Sequence, residues 1–135
     1  MTAIWDRLYL GSLRDADLLV SFNPCAIVSV LSLCEQTTEH RTTAISYRQI
    51  PIADTRPISA EKFEQIMTAI TNGIRRGNLL LHCLAGASRS PIMAAAWMHR
   101  CGYAGIDRAL AEIAALRDID PSPVLLKSTK EHLTR

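Results

Sequence analysis

The sequence has no apolar run approaching the roughly 20 residues that cross a bilayer, and nothing in it argues for a membrane span. Its opening residues, Met1 to Gly11, lack the basic-then-apolar layout of a secretory signal. None of its four cysteines, Cys25, Cys34, Cys83 and Cys101, forms a Cys-x-x-Cys pair. That removes the usual zinc and thioredoxin-type spacings, and no metal or other cofactor is expected. Without a secretory signal, reduced thiols in a cytoplasmic protein are expected rather than two disulfides. No charge sign dominates either, since 15 basic residues face 13 acidic ones. The clustered basic face of a nucleic-acid or membrane-surface binder is therefore missing, and neither partner is expected. Internal repeats, low-complexity tracts and linker-like runs are absent too. What is left is 135 residues, 48% hydrophobic and 21% charged. This is the size and balance of one globular domain, residues 1–135, with enough chain for a hydrophobic core. A monomer is expected.

Short apolar runs at Leu8–Leu10, Ile27–Leu31, Tyr47–Ile50 and Leu79–His82 read as strands. Between and after them lie helical periodicities. One starts at the capping residue Ser59, runs to about Ile74 and stops at Gly77-Asn78. A second carries Ile92, Ala95, Ala96 and His99 and closes at Gly102; others span Ile106 to Leu116 and Pro123 to Leu133. Strands alternating with helices imply an α/β fold, a central mostly parallel sheet of about four to five strands flanked by helices. Sites in such folds open beyond the carboxyl ends of strands, which directs attention to the turn after Leu79–His82.

That turn reads His82-Cys83-Leu84-Ala85-Gly86-Ala87-Ser88-Arg89-Ser90-Pro91. Gly86 and the small residues Ala85 and Ala87 let the backbone curl until successive N–H groups point inward, a nest for a tetrahedral anion such as phosphate or sulfate. The helix that follows adds its positive N-terminal end. Arg89 brings a planar fork that grips two oxygens at once. Positive surroundings of this kind favour the thiolate of a cysteine, and a thiolate facing a bound phosphate is a nucleophile. Cys83 followed six positions on by arginine is a weak signal alone. With His82 before it, Gly86 within and Ser90 after, chance supplies the set in on the order of a few chains per hundred thousand. A buried core cysteine, the common fate of a free thiol, explains neither the loop nor the arginine.

His82 to Ser90 resembles the His-Cys-x-x-Gly-x-Ser-Arg-Ser/Thr signature of the protein tyrosine phosphatase superfamily, and the chain as a whole is most similar to its dual-specificity branch. Leu8-Tyr9-Leu10-Gly11 resembles that branch's opening strand, and Arg117 with Pro121 resembles the arginine-proline stretch after its penultimate helix. The resemblance implies a dual-specificity-phosphatase-like fold and a cysteine-dependent phosphatase working through a phosphocysteine on Cys83. It implies that Leu84, Ala85, Gly86, Ala87, Ser88 and Arg89 bind the phosphoryl group, with Ser88 bracing the loop. Ser90 would donate a hydrogen bond to the departing thiolate. His82 would orient the loop from behind rather than act as a base.

Attack on phosphorus also needs an acid for the leaving oxygen. Asp54, in Pro51-Ile52-Ala53-Asp54-Thr55-Arg56-Pro57, lies on a proline-bracketed loop just after a strand, a placement similar to the family's general acid. Asp6, Asp118 and Asp120 are more poorly placed rivals, and Arg56 reads either as a solvated residue or as a contact for an anionic substrate. The uncharged Leu84, Ala85 and Ala87 depart from the lysine-bearing loops of phosphoinositide-directed relatives. That favours a simple phosphomonoester over a multiply phosphorylated lipid head group, and the resemblance implies a phosphorylated protein as substrate, carrying phosphotyrosine, with phosphoserine and phosphothreonine also admitted. The same chemistry on a phosphosugar, nucleotide, RNA end or lipid is the alternative. A phosphoprotein-binding module without catalysis, or a rhodanese-like sulfurtransferase, fits the retained Cys83, Arg89 and Asp54 less well. Cys34 stands where some phosphoinositide-phosphatase relatives carry a resolving cysteine, and it reads either as a buried structural cysteine or as the partner of a reversible disulfide with Cys83.

Overall fold

The computed structural model describes residues 1–134. Five strands, β1 (Thr2–Trp5), β2 (Leu8–Gly11), β3 (Ile27–Ser32), β4 (Ser46–Gln49) and β5 (Asn78–His82), form one sheet in the order β1-β2-β5-β3-β4. β2, β5, β3 and β4 run parallel, and only the edge strand β1 is antiparallel to its neighbour. Five helices accompany them: α1 (Leu13–Leu18), α2 (Ala60–Arg76), α3 (Arg89–Arg100), α4 (Ile106–Ala114) and α5 (Pro123–Leu133). The expected α/β architecture with a mostly parallel sheet is therefore the observed one.

β5 is the middle strand and an unbroken apolar run, Leu79-Leu80-Leu81, because both of its faces are covered. Leu79 and Leu81 join the larger core beneath α2, α3, α4 and α5, with Phe63, Ile66, Ile70, Ile92 and Leu110. Leu80 faces the smaller core with Ala16, Leu19, Ile27, Val30 and Ile45. α3 is buried at every position from Ser90 to Met98, the pattern of a helix enclosed by neighbours. α2 begins where Ser59 Oγ accepts from Lys62 N and ends at Gly77, whose φ of 145° no other residue adopts comfortably.

Two elements were not anticipated. α1 has only six residues, too few to show a periodicity, and is held by a reciprocal cap between Ser12 and Asp15. β1 is a four-residue edge strand with half-covered side chains. Other boundaries moved slightly. The strand expected at Tyr47–Ile50 is Ser46–Gln49, and the helix expected to reach Leu116 ends at Ala114. α3 starts at Arg89, so that Pro91 falls in the first turn, where a missing N–H costs no intrahelical bond.

Candidate active site

The carboxyl end of β5 runs directly into the loop of residues 83–88, and α3 begins on its far side. Gly86 makes the turn with φ of 72°, a left-handed conformation that suits glycine. The loop is held from outside by its carbonyls. Leu84 O accepts from Leu13 N at 3.0 Å, Gly86 O from Arg117 Nε at 3.0 Å and Ala87 O from Asp120 N at 2.7 Å. The amides of residues 84 to 88, by contrast, donate to no backbone acceptor among the described residues. A loop whose carbonyls are tied outward and whose amides are free has the arrangement that receives an oxyanion.

Cys83 sits at the base, 2% exposed, with Sγ 3.3 Å from the Oγ of the fully buried Ser90. Ser88 Oγ accepts from Ser122 N at 2.8 Å and so ties the loop to the segment before α5. Arg89 is half-buried and donates from Nη1 to Ile52 O at 3.1 Å. This bond joins the loop to the segment that carries Asp54. Asp54 itself is half-buried, and its Oδ1 is enclosed by protein without any hydrogen-bond partner. Asp6, Asp118 and Asp120 are exposed, and an enclosed, unpaired carboxylate oxygen is found at Asp54 and at none of them. Arg56 is exposed.

His82 is 1% exposed, with Nδ1 3.2 Å from Cys83 O and Nε2 unpartnered. Burial holds its pKa below the usual histidine value, partly offset by the bond to Cys83 and by Asp17 and Asp15. The structure thus brings together Cys83, Ser90 and, through Ile52, Arg89 with the Asp54 segment. It does not join Cys34 to Cys83: both thiols are free, and the buried Cys34 sulfur lies 3.5 Å from Ser32 Oγ and 3.4 Å from Gln36 O. Among the described residues no cluster of histidine, cysteine and carboxylate side chains is set to hold a metal ion, and no helix is long and apolar enough to cross a membrane.

Sequence reasoning missed the bracing role of Arg117. Besides Gly86 O, it reaches Leu10 O and Thr2 Oγ1, each at 3.1 Å. The sequence singles out Arg117 only by its resemblance to the family's arginine-proline stretch, and no local spacing signals its bracing partners, which lie 31, 107 and 115 positions away.

A family model described as dual specificity phosphatase, catalytic domain, matches residues 8–132. Human dual specificity protein phosphatase 15 is 32% identical over 130 residues, covering 92% of this chain and 43% of that protein. Dual specificity protein phosphatase 22-A of Danio rerio is 29% identical over 119 residues, covering 87% of this chain and 57% of that protein. The chain spans less than two thirds of the length of either relative. Among solved structures, DUSP15 superposes with a TM-score of 0.81 at 29% identity, covering 98% of this chain and 84% of that one. Human DUSP28 superposes with a TM-score of 0.87, covering 99% and 96%. At 18% identity the likeness to DUSP28 concerns the fold.

Proposed function

The chain belongs to the dual specificity phosphatase family, and from that premise we propose that it hydrolyses phosphomonoesters on proteins through a phosphocysteine on Cys83. The observation that carries the reading is the loop itself: outward-tied carbonyls, free amides and a cysteine at the base beside a serine hydroxyl. The substrate phosphoryl group lies in the amide nest with Arg89 gripping two of its oxygens. Its charge is met by groups already in place before the reaction begins.

The thiolate of Cys83 forms the S–P bond as the bond from phosphorus to the ester oxygen breaks. The proton for that oxygen comes from Asp54, whose enclosed and unpaired Oδ1 supports the assignment. Water then attacks phosphorus, its proton passing to the Asp54 carboxylate. The S–P bond breaks, inorganic phosphate leaves, and the Ser90 hydroxyl donates a hydrogen bond to the released thiolate. The step needs no metal, because the amides and Arg89 neutralise the transferring group. The uncharged Leu84, Ala85 and Ala87, with Leu84 exposed at the rim, favour a protein phosphomonoester over a multiply charged lipid head group. In this reading the site admits phosphotyrosine, with phosphoserine and phosphothreonine as further substrates, and the protein works as a cytoplasmic monomer.

The test is turnover of para-nitrophenyl phosphate by wild type, Cys83→Ser and Asp54→Asn with EDTA present. The expected result is no turnover in Cys83→Ser and a loss of roughly 10²–10⁴ in Asp54→Asn. Activity that survives Cys83→Ser overturns the mechanism.

A further inference from the structure

Asp54 rides on an arch whose two feet are tied and whose span is not. Residues 53 to 57 make no hydrogen bond to any residue outside the arch among the described residues. At the first foot, Ile50 N donates to Ser32 O at 2.9 Å and Ile52 N to Leu33 O at 3.0 Å. Pro51 O there accepts from Lys62 Nζ at 2.6 Å, and Ile52 O accepts from Arg89. The second foot is Ile58, and it is tied to the helix at the far end of the chain. Its N–H donates to Ser128 Oγ at 2.9 Å; its carbonyl accepts from Ser128 Oγ at 3.3 Å and from His132 Nε2 at 2.6 Å.

Two side chains of α5 therefore use up both backbone groups of one residue. Ser128 can do this because a hydroxyl accepts and donates at once. The His132 ring is fixed by stacking on the fully buried Phe63, with centroids 5.5 Å apart and planes 23° apart. Arg100 of α3 lies over the Phe63 ring at 5.0 Å and is itself held by Glu64 at 2.7 Å. A residue that merely ends a loop needs no such support.

We propose that Ser128 and His132 are positioning residues for proton transfer: α5 fixes where the arch stands and hence how far the Asp54 carboxyl reaches. The inference rests on the reading of Asp54 as the acid. Proton transfer needs the acid within about 2.6–3.2 Å of the leaving oxygen, and a displacement of roughly 1 Å costs up to about a hundredfold. The loss must scale with how badly the leaving oxygen needs a proton. Phenyl phosphate has a poor leaving group and needs the acid; 2,4-dinitrophenyl phosphate hardly does.

The experiment compares kcat/KM for these two esters in wild type, Ser128→Ala, His132→Phe, which keeps the stack on Phe63 but removes the donor, and His132→Gln, which restores one. Ser128→Ala and His132→Phe are expected to lose roughly tenfold or more on phenyl phosphate and less than about threefold on the dinitrophenyl ester. His132→Gln should lie close to wild type on both. In an Asp54→Asn background the α5 substitutions should cost nothing further on phenyl phosphate, since they act through the same group. Equal losses on both esters, or losses that persist undiminished in Asp54→Asn, overturn the inference and mark α5 as structural only. Should Ser128→Ala fail to fold, His132→Phe carries the test alone. A wild type without Cys83-dependent turnover on either ester overturns the phosphatase reading itself, a result distinct from the failure of the α5 assignment.

Discussion

Arg117 donates from Nε to the carbonyl of Gly86 at 3.0 Å, across 31 positions of sequence. The same guanidinium reaches back to Leu10 O and Thr2 Oγ1. One side chain thus ties the loop at Cys83 to both strands of the β1–β2 edge. A planar fork with five donors satisfies this set, and a single ammonium does not.

Arg117→Ala should lower kcat/KM by about a hundredfold while Cys83 and Arg89 remain in place, because the loop loses its outer brace. Stability should fall by about 2 kcal/mol, the scale of hydrogen bonds to a charged donor. Steady-state kinetics together with thermal unfolding separate the two effects. Arg117→Lys should recover part of the stability and little of the activity.

Gly86 and Gly102 make a matched pair, with φ of 72° and 80°. A Cβ at Gly86 would stand 2.6 Å from Gly11 O and 2.5 Å from Arg117 Nη2, whereas one at Gly102 meets nothing within 4 Å. Gly102→Ala should cost about 1–2 kcal/mol, the price of a left-handed alanine, and leave turnover intact. Gly86→Ala should carry that cost and abolish turnover as well, since Gly11 backbone cannot yield. Activity retained in Gly86→Ala contradicts this account of the loop.

Ser90 lies 3.3 Å from the Cys83 sulfur and is fully buried. Its removal should spare formation of the phosphocysteine and slow its hydrolysis. Ser90→Ala is therefore expected to show a burst of nitrophenol followed by a kcat lowered at least about tenfold, with kcat/KM near wild type. Rapid-mixing absorbance measures both phases. A linear time course with kcat and kcat/KM reduced alike assigns the hydroxyl to the first step instead.

His82 gives a dependence of stability on pH with a definite sign. Burial is the main cause of its lowered pKa. Below the unfolded value, close to 6.5, the unfolded chain binds a proton that the native state refuses. Its contribution is therefore fully present above that value. It declines as pH falls toward the folded pKa, by at most about 1.4 kcal/mol per pH unit for one group. Urea titrations from pH 7 down to pH 5 should show falling stability, and His82→Asn should flatten the decline. An unchanged slope in His82→Asn excludes this histidine as the cause.

Much of the site was legible because it is local. Cys83 to Ser90 is a continuous segment, and the Leu79–Leu81 run announces a strand covered on both faces. Asp54 was reachable through its neighbours Pro51 and Pro57. The supports were not legible. Arg117, Ser122, Ser128 and His132 act across 31, 34, 70 and 74 positions of sequence, and a lone arginine or serine on a helix end has no pattern that announces a distant partner. α1 and β1 escaped because six-residue and four-residue elements are shorter than the periodicities used to find them.

The position of β5 between β2 and β3 has a consequence for the order of events during synthesis. The chain emerging from a ribosome supplies β1 and β2, then β3 and β4, as two ribbons whose strands do not pair with each other. They become one sheet only when residues 78 to 82 emerge and slide between them. Even then the loop at Cys83 lacks three of its ties until Arg117, Asp120 and Ser122 have followed. Contacts this distant in sequence form late. Cys83 is thus made well before the contacts that hold its loop, and a nascent chain stalled short of residue 117 lacks all three of those ties.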